Sequence, residues 1–288
     1  MQDVNPAAPL PKVVALLPAW RAAVFIQETL DCLAAQTYPN LEILISDDAS
    51  PDETAEICQA FAAQRENTRV IRQPRNLGWV GNVNALLRAA MGDYFFFAFH
   101  DDVVKPTYVE QLVEALETNP RAVLSFTDMK RENVNGAVGI DSYTSLEGVT
   151  DAVARARRLL VGDGPWWIPN RGLFRAWAAR EAGGMRQHFA GEFAADSLWL
   201  CRLALIGEFV RVPGVLVIKR ITGQGLSQSW KRSGWQRIGL MTGQMQAVVS
   251  PRLSRREQIG LQSYILRLKC GRLVSKVLAR PGVRQAAL

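Results

Sequence analysis

The sequence is poor in the residues that build metal–sulfur or disulfide frameworks. Its four cysteines (Cys32, Cys58, Cys201 and Cys270) lie far apart, and it has only two histidines. No Cys-x-x-Cys pair occurs, which speaks against a structural zinc site or a disulfide scaffold, so reduced, buried thiols are expected. Long apolar runs are also missing. The longest, Tyr94 to Phe99, is far shorter than the roughly 20 residues a bilayer span requires. Met1 to Pro11 hold one acidic residue and three prolines and no apolar signal core, so a cytoplasmic protein is expected. There is no internal repeat and no low-complexity tract. With 48% hydrophobic and 21% charged residues over 288 positions, general disorder is excluded and one large α/β domain, or a core with an appendage, can be built.

Charge is unevenly placed. From Lys231 onward there are twelve Lys or Arg against the single acid Glu257, a tail of +11 in a chain whose total is +7. The first 230 residues therefore carry −4. A near-neutral body with a basic tail points to an anionic surface as a partner for the tail.

In the first half, short β-branched or aromatic runs alternate with longer helical patterns, the sign of βαβ units and a mostly parallel sheet. Strands are predicted at Lys12–Leu17, Leu41–Ser46, Arg69–Arg72, Tyr94–Phe99 and Ala122–Phe126. Helices are predicted between them at about Val24–Ala35, Gly81–Met91 and Thr107–Glu117. Ser50-Pro51-Asp52-Glu53 reads as a capped helix start, with Ser as cap, Pro at the first helical position and Glu three residues on. The second half is less regular: loop or short β structure over Asn133–Gly148, helices at Asp151–Leu160 and Ala195–Ile206, and a strand at Glu208–Val217.

Three polar clusters fall just after predicted strands: Pro18-Ala19-Trp20, Asp47-Asp48 and His100-Asp101-Asp102. Ligands of open parallel sheets bind at the carboxyl ends of the strands, so clusters repeated along that edge point to one site. Asp101 and Asp102 follow an apolar strand, and neighbouring carboxylates repel unless a cation sits with them. Hard oxygen ligands of this kind suit Mg²⁺ or Mn²⁺ completed by substrate phosphates. His100 is either a supporting partner or a structural histidine.

These residues, taken in order, resemble the family 2 glycosyltransferases, inverting enzymes with the GT-A fold. Val13 to Trp20 looks like the family's opening strand, and Glu42 to Ser50 like its second strand with an Asp-Asp-x-Ser ending. Arg75-Asn76-Leu77-Gly78, Asn84 and Gly92-Asp93-Tyr94 match its further signals, and His100-Asp101-Asp102 stands where the family carries its metal motif. The match is dense over residues 12–128 and loose over 165–227. The resemblance implies that Pro18, Ala19, Trp20 and Asp48 contact the nucleotide base and that Asn76, Gly78 and Asn84 lie near the ribose and its loop. By the same resemblance Asp101 approaches the ribose or sugar, Asp102 ligates Mn²⁺ or Mg²⁺, and Asp196, at the start of a late helix, is the catalytic base, with Glu192 in reserve. The family often has another Asp at the position of Phe99, and a Glu at that of Ala195.

Trp166 and Trp167 are either an acceptor platform or core. Lys219, Arg220 and Thr222–Ser229, with Gly223 and Gly225, form the expected flap over the diphosphate. The expected layout is a GT-A domain over 1–228 (donor half about 12–128, acceptor half about 129–228) and a helical basic extension over 229–288. Ser254-Arg255-Arg256-Glu257 caps a tail helix running to about Leu278, with Lys269, Arg272, Lys276 and Arg280 as a basic stripe. That helix either packs on the body or attaches to an anionic membrane near a lipid-linked acceptor. Nucleic acid is not expected, because the tail lacks interleaved aromatics. The expected reaction moves a sugar from a nucleoside diphosphate donor, UDP-linked, to a hydroxyl of a glycan or lipid-linked saccharide, as in bacterial surface polysaccharide synthesis. Two rivals stay open. A sugar-1-phosphate nucleotidyltransferase normally has a Gly-rich basic loop where this chain has Pro18-Ala19-Trp20-Arg21. A catalytically inactive nucleotide-sugar-binding relative draws on Phe99 and Ala195.

Overall fold

The computed structural model describes residues 9–133, 136–162, 164–221 and 233–278, with side chains described as far as residue 269. Strands β1 (Val13–Ala19), β2 (Leu41–Asp47), β3 (Thr68–Arg72) and β4 (Tyr94–Phe97) alternate with helices α1 (Ile26–Ala34), α2 (Thr54–Ala62) and α3 (Gly78–Ala89). Short β5 (Asp102–Val104), α4 (Tyr108–Glu117), long β6 (Ala122–Asn133) and β7 (Val138–Asp141) follow, then α5 (Ala152–Val161). A 3-10 turn at Ile168–Arg171 leads to β8 (Leu173–Arg175), α6 (Ala176–Ala182), α7 (Ala195–Ile206) and β9 (Glu208–Ile221). Two helices, α8 (Gly234–Ala247) and α9 (Arg255–Leu278), close the described chain.

The strands form one mixed sheet in the order β3-β2-β1-β4-β8-β6-β9-β5, with β7 paired to β6. β1 lies parallel between β2 and β4, with Val13 opposite both Leu41 and Tyr94. β8 runs antiparallel between β4 and β6, while β6 and β9 are parallel. All seven residues of β1 and all four of β4 are buried, which is why both read as unbroken apolar runs rather than alternating ones. α3 packs on β1 and β2.

Several expectations are corrected by long-range contacts. Ser50 does not cap α2: that helix begins at Thr54, and the Ser50 hydroxyl accepts the Arg21 backbone N–H at 3.1 Å instead. β6 extends to Asn133 and β9 to Ile221, beyond their predicted ends, because each supplies the other's ladder. The tail helix starts as predicted, with Ser254 and Glu257 exchanging side-chain-to-backbone bonds at its first turn. Its apolar residues Leu261 and Ile265 join Val248 and Leu253 in a second buried cluster with Ala156, Leu160, Leu198 and Leu205, so α9 packs on α5 and α8. The stripe residues Arg272, Lys276 and Arg280 lie outside the described side chains. Among the described residues no helix is long and apolar enough to cross a membrane.

Candidate active site

β1 delivers Pro18 and Ala19, both buried, to the carboxyl edge of the sheet, and the chain turns outward at Trp20, which is 41% exposed. The Arg21 guanidinium lies 4.7 Å from the Trp20 ring centroid. One strand over, Asp48 leaves β2 with its N–H donating to the Ala19 carbonyl at 2.9 Å, which fastens the two strand ends together. The buried Asp48 carboxylate accepts the Leu77 N–H at 2.7 Å. Burial raises its pKa above the ordinary value, and the N–H groups of Leu77 and Gly78 oppose that rise. Asn76 completes the turn by donating to the Asp48 carbonyl at 3.3 Å and accepting the Gly78 N–H at 3.0 Å. The structure therefore places Pro18, Ala19, Trp20, Asp48, Asn76 and Gly78 together.

The Asn84 amide donates to the Met185 carbonyl at 2.9 Å and accepts the Met185 N–H at 2.8 Å, so both of its polar ends tie α3 to the backbone at Met185. Glu192 is also a tie. Its Oε1 accepts the Val80 N–H at 3.1 Å, in the first turn of α3, and an N–H of Gln187 at 3.0 Å. A negative charge at a helix N-terminus satisfies orphan donors and the helix dipole, so the carboxylate reads as a cap. Gly78, at φ +76°, leaves room for it, since a Cβ there would stand 2.8 Å from Glu192 Oε1.

The second carboxylate pair follows β4. Asp102 opens β5 and is only 4% exposed. Its Oδ2 accepts from Arg171 Nε at 2.8 Å, and Lys219 Nζ lies 3.6 Å from its Oδ1 and 3.8 Å from Asp101 Oδ2. Burial works to raise the Asp102 pKa, but the charges of Arg171 and Lys219 outweigh it and hold the group below the ordinary carboxylate value. The ring of Phe99 has its centroid 4.6 Å from the same guanidinium. Among the described residues no three His, Cys, Asp or Glu side chains gather around one point. Mg²⁺ and Mn²⁺ sites, however, are commonly held by one or two carboxylates plus phosphate oxygens. Asp102 Oδ1 is a buried acceptor with no hydrogen-bond partner, a lone pair that a cation would satisfy. With partly exposed Asp101 beside it, the donor set fits such an ion.

Asp196 lies in the first turn of α7, whose entry is forced through Ala194 at φ +57°. Asp196 Oδ1 accepts the Ser197 N–H at 2.9 Å, and Asn170 Nδ2 stands 3.4 Å from Oδ2. Burial raises its pKa above the ordinary carboxylate value, against the Ser197 N–H and the charge of Arg171. Arg171 bonds Asp102 directly, and its charge also acts on Asp101 and Asp196. The arrangement offers an exposed aromatic, a cation-competent carboxylate pair and a carboxylate of raised proton affinity.

Trp166 and Trp167 meet edge to face, 6.2 Å between centroids, half-buried against the main core instead of standing free. Exposed aromatics near α7 are Phe189, 63% exposed, and Trp235, 71% exposed, with centroids 6.3 Å apart. Of the expected flap, Arg220 pairs with Glu28 and Lys219 with Asp101 and Asp102, while Thr222–Ser229 lies outside the described residues. Sequence reading gave no role to Asn170 or Arg171. The available signal was a lone cation inside the apolar run Trp166 to Phe174, a place where a charge survives only with a partner.

A family model described as "Glycosyl transferase family 2" matches residues 15–173. An "Uncharacterized glycosyltransferase" of Haemophilus influenzae is 30% identical over 131 residues, covering 45% of this chain and 41% of that protein, so the chain matches less than half of that relative's length. Among solved structures, S. aureus TarS 1-349 in complex with UDP-GlcNAc superposes with a TM-score of 0.69 at 17% identity, covering 89% of this chain and 72% of that one. The mannosyltransferase PcManGT from Pyrobaculum calidifontis, in complex with GDP-Man and Mn2+, gives 0.53 at 17% identity over 94% of this chain and 76% of that one. These likenesses show a GT-A type fold.

Proposed function

Because the chain belongs to glycosyl transferase family 2, we propose that it transfers a sugar, with inversion, from a UDP-linked donor to a hydroxyl of a glycan or lipid-linked saccharide. The observation that carries this reading is the turn Ile168–Arg171, whose Arg171 bonds Asp102 at 2.8 Å while the adjacent Asn170 reaches Asp196 at 3.4 Å, so that the two carboxylates share one site. Trp20 and Asp48 hold the base of the donor, with Pro18 and Ala19 as the floor. Asn76 and Gly78 shape the turn beside it. Asp102 Oδ1 and Asp101 would hold Mn²⁺ or Mg²⁺, which when bound would neutralise charge developing on the diphosphate. Asp196 accepts the proton of the acceptor hydroxyl while that oxygen bonds to the anomeric carbon. The bond from that carbon to the diphosphate oxygen breaks, and the nucleoside diphosphate leaves with the electron pair. A base matched to this task needs a raised pKa, and burial supplies it. Phe189 and Trp235 offer the acceptor its apolar contact, and the +11 tail draws the protein to an anionic membrane carrying lipid-linked acceptor. The layout follows: a GT-A domain over 1–228 and a helical extension over 229–288.

The test combines thermal shift with donor turnover. UDP with Mn²⁺ is expected to raise the melting temperature more than UDP alone. Asp196→Asn is expected to lose turnover by about 10²–10⁴-fold while keeping the UDP shift. Asp102→Asn is expected to lose the Mn²⁺-dependent part of both. Near wild-type rates in both variants overturn the roles.

A further inference from the structure

We propose that Asn170 is a positioning residue for Asp196, and that the 3-10 turn Ile168–Arg171 divides its two polar side chains between the halves of the site. Arg171 is kept on Asp102, and the neutral Asn170 is given to Asp196. This rests on the reading of Asp196 as the base.

The turn is fixed independently of any substrate. The Asn170 N–H donates to the Trp167 carbonyl at 3.1 Å and the Gly172 N–H to the Pro169 carbonyl at 3.0 Å. A Cβ on Gly172 would stand 2.3 Å from the Ser125 carbonyl, so the backbone is pressed directly onto β6. Asn170 is 1% exposed, and its side-chain oxygen is buried with no partner. A buried amide normally spends both of its ends. Here only the Nδ2 contact to Asp196 Oδ2 is made, and the reverse orientation would set oxygen against oxygen.

The division of charge has a chemical consequence. A guanidinium bonded directly to Asp196 would stabilise the carboxylate and depress its basicity. Arg171 is prevented from doing so by its bond to Asp102 and by the ring of Phe99. An amide donor fixes the direction of the Asp196 oxygen at far smaller cost in proton affinity, and burial keeps that affinity high. The charged group facing Asp196 is Arg171, itself compensated by Asp101 and Asp102. On the loop before α7, Glu192 is spent on Val80 and Gln187, and His188 on the Phe193 carbonyl and the Ala190 N–H.

The experiment compares full-length wild type, Asn170→Ala, Asn170→Ser and Asn170→Asp by the pH dependence of turnover, with UDP binding and melting temperature as controls. Asn170→Ala is expected to lower turnover about 10- to 100-fold, leave UDP binding within about twofold, and move the acid limb to higher pH, because a bond to the charged form is lost. Asn170→Asp is expected to move that limb further up, and Asn170→Ser to restore part of the shift. An Asn170→Ala limb that overlies wild type overturns the proposal, as does equal loss of UDP binding and turnover. If Asp196→Asn turns over normally, the base assignment itself has failed. If Asp196→Asn is inactive while Asn170→Ala has the wild-type profile, only the positioning role has failed.

Discussion

Replacing Glu192 separates a structural carboxylate from a catalytic one. Glu192 Oε1 accepts the Val80 N–H at 3.1 Å and Gln187 Nε2 at 3.0 Å. A hydrogen bond to a charged group contributes roughly 1.5–3 kcal/mol, and a charge at a helix N-terminus roughly 0.3–1 kcal/mol. The residue is half-buried, so the lower end of both ranges applies. Glu192→Ala is then expected to cost about 2 kcal/mol. At roughly 2–4 °C per kcal/mol for a chain approaching this size, the melting temperature falls by about 4–8 °C. Glu192→Gln keeps an acceptor oxygen and loses only the charge, about 0.5–1 kcal/mol, so its melting temperature falls by about 1–4 °C. Turnover of both variants, assayed well below their melting temperatures, is expected to stay within about fivefold of wild type, less than the loss of a catalytic base would cause. Calorimetry and a donor-turnover assay on the same preparations decide it. Unchanged melting temperatures together with a turnover loss beyond 100-fold would refute the capping role and make Glu192 the base.

The other outcomes concern ties within the fold. Asn84→Ala removes two bonds to the Met185 backbone, and is expected to cost about 1–3 kcal/mol without changing donor KM, as read by urea unfolding and kinetics. The Asp128 carboxylate is held by Arg211 Nε at 2.7 Å and Nη2 at 2.8 Å; burial acts to raise its pKa, but those bonds win and lower it. A group whose pKa is depressed by folding stabilises the native state above its unfolded value and loses that contribution as pH falls through and below about 4. Asp128→Asn is therefore expected to flatten the acid side of the stability–pH curve in denaturant titrations, and an unchanged curve counts against the pairing.

How much was legible in advance depended on range. The apolar continuity of Val13–Leu17 and Tyr94–Phe97 foretold strands buried on both faces, and the residues following them foretold where the carboxylates gather, because a parallel sheet presents its strand ends on one edge. The tail cap at Ser254 and Glu257 was legible because both partners lie within one helical turn. Ser50 shows where the same logic fails: a hydroxyl that looks like a cap is taken by the Arg21 N–H from 29 positions away.

By itself, then, the sequence determined the strand–helix alternation, the edge on which chemistry collects and the acids that occupy it, since periodicity and local bonding act over a few residues. Only the tertiary structure decided what each acid is bonded to. Arg171 meets Asp102 across 69 positions and Glu192 meets Val80 across 112. Which cation neutralises which carboxylate, and which carboxylate is left basic, is set by burial and by contacts that exist only once the sheet has closed around them.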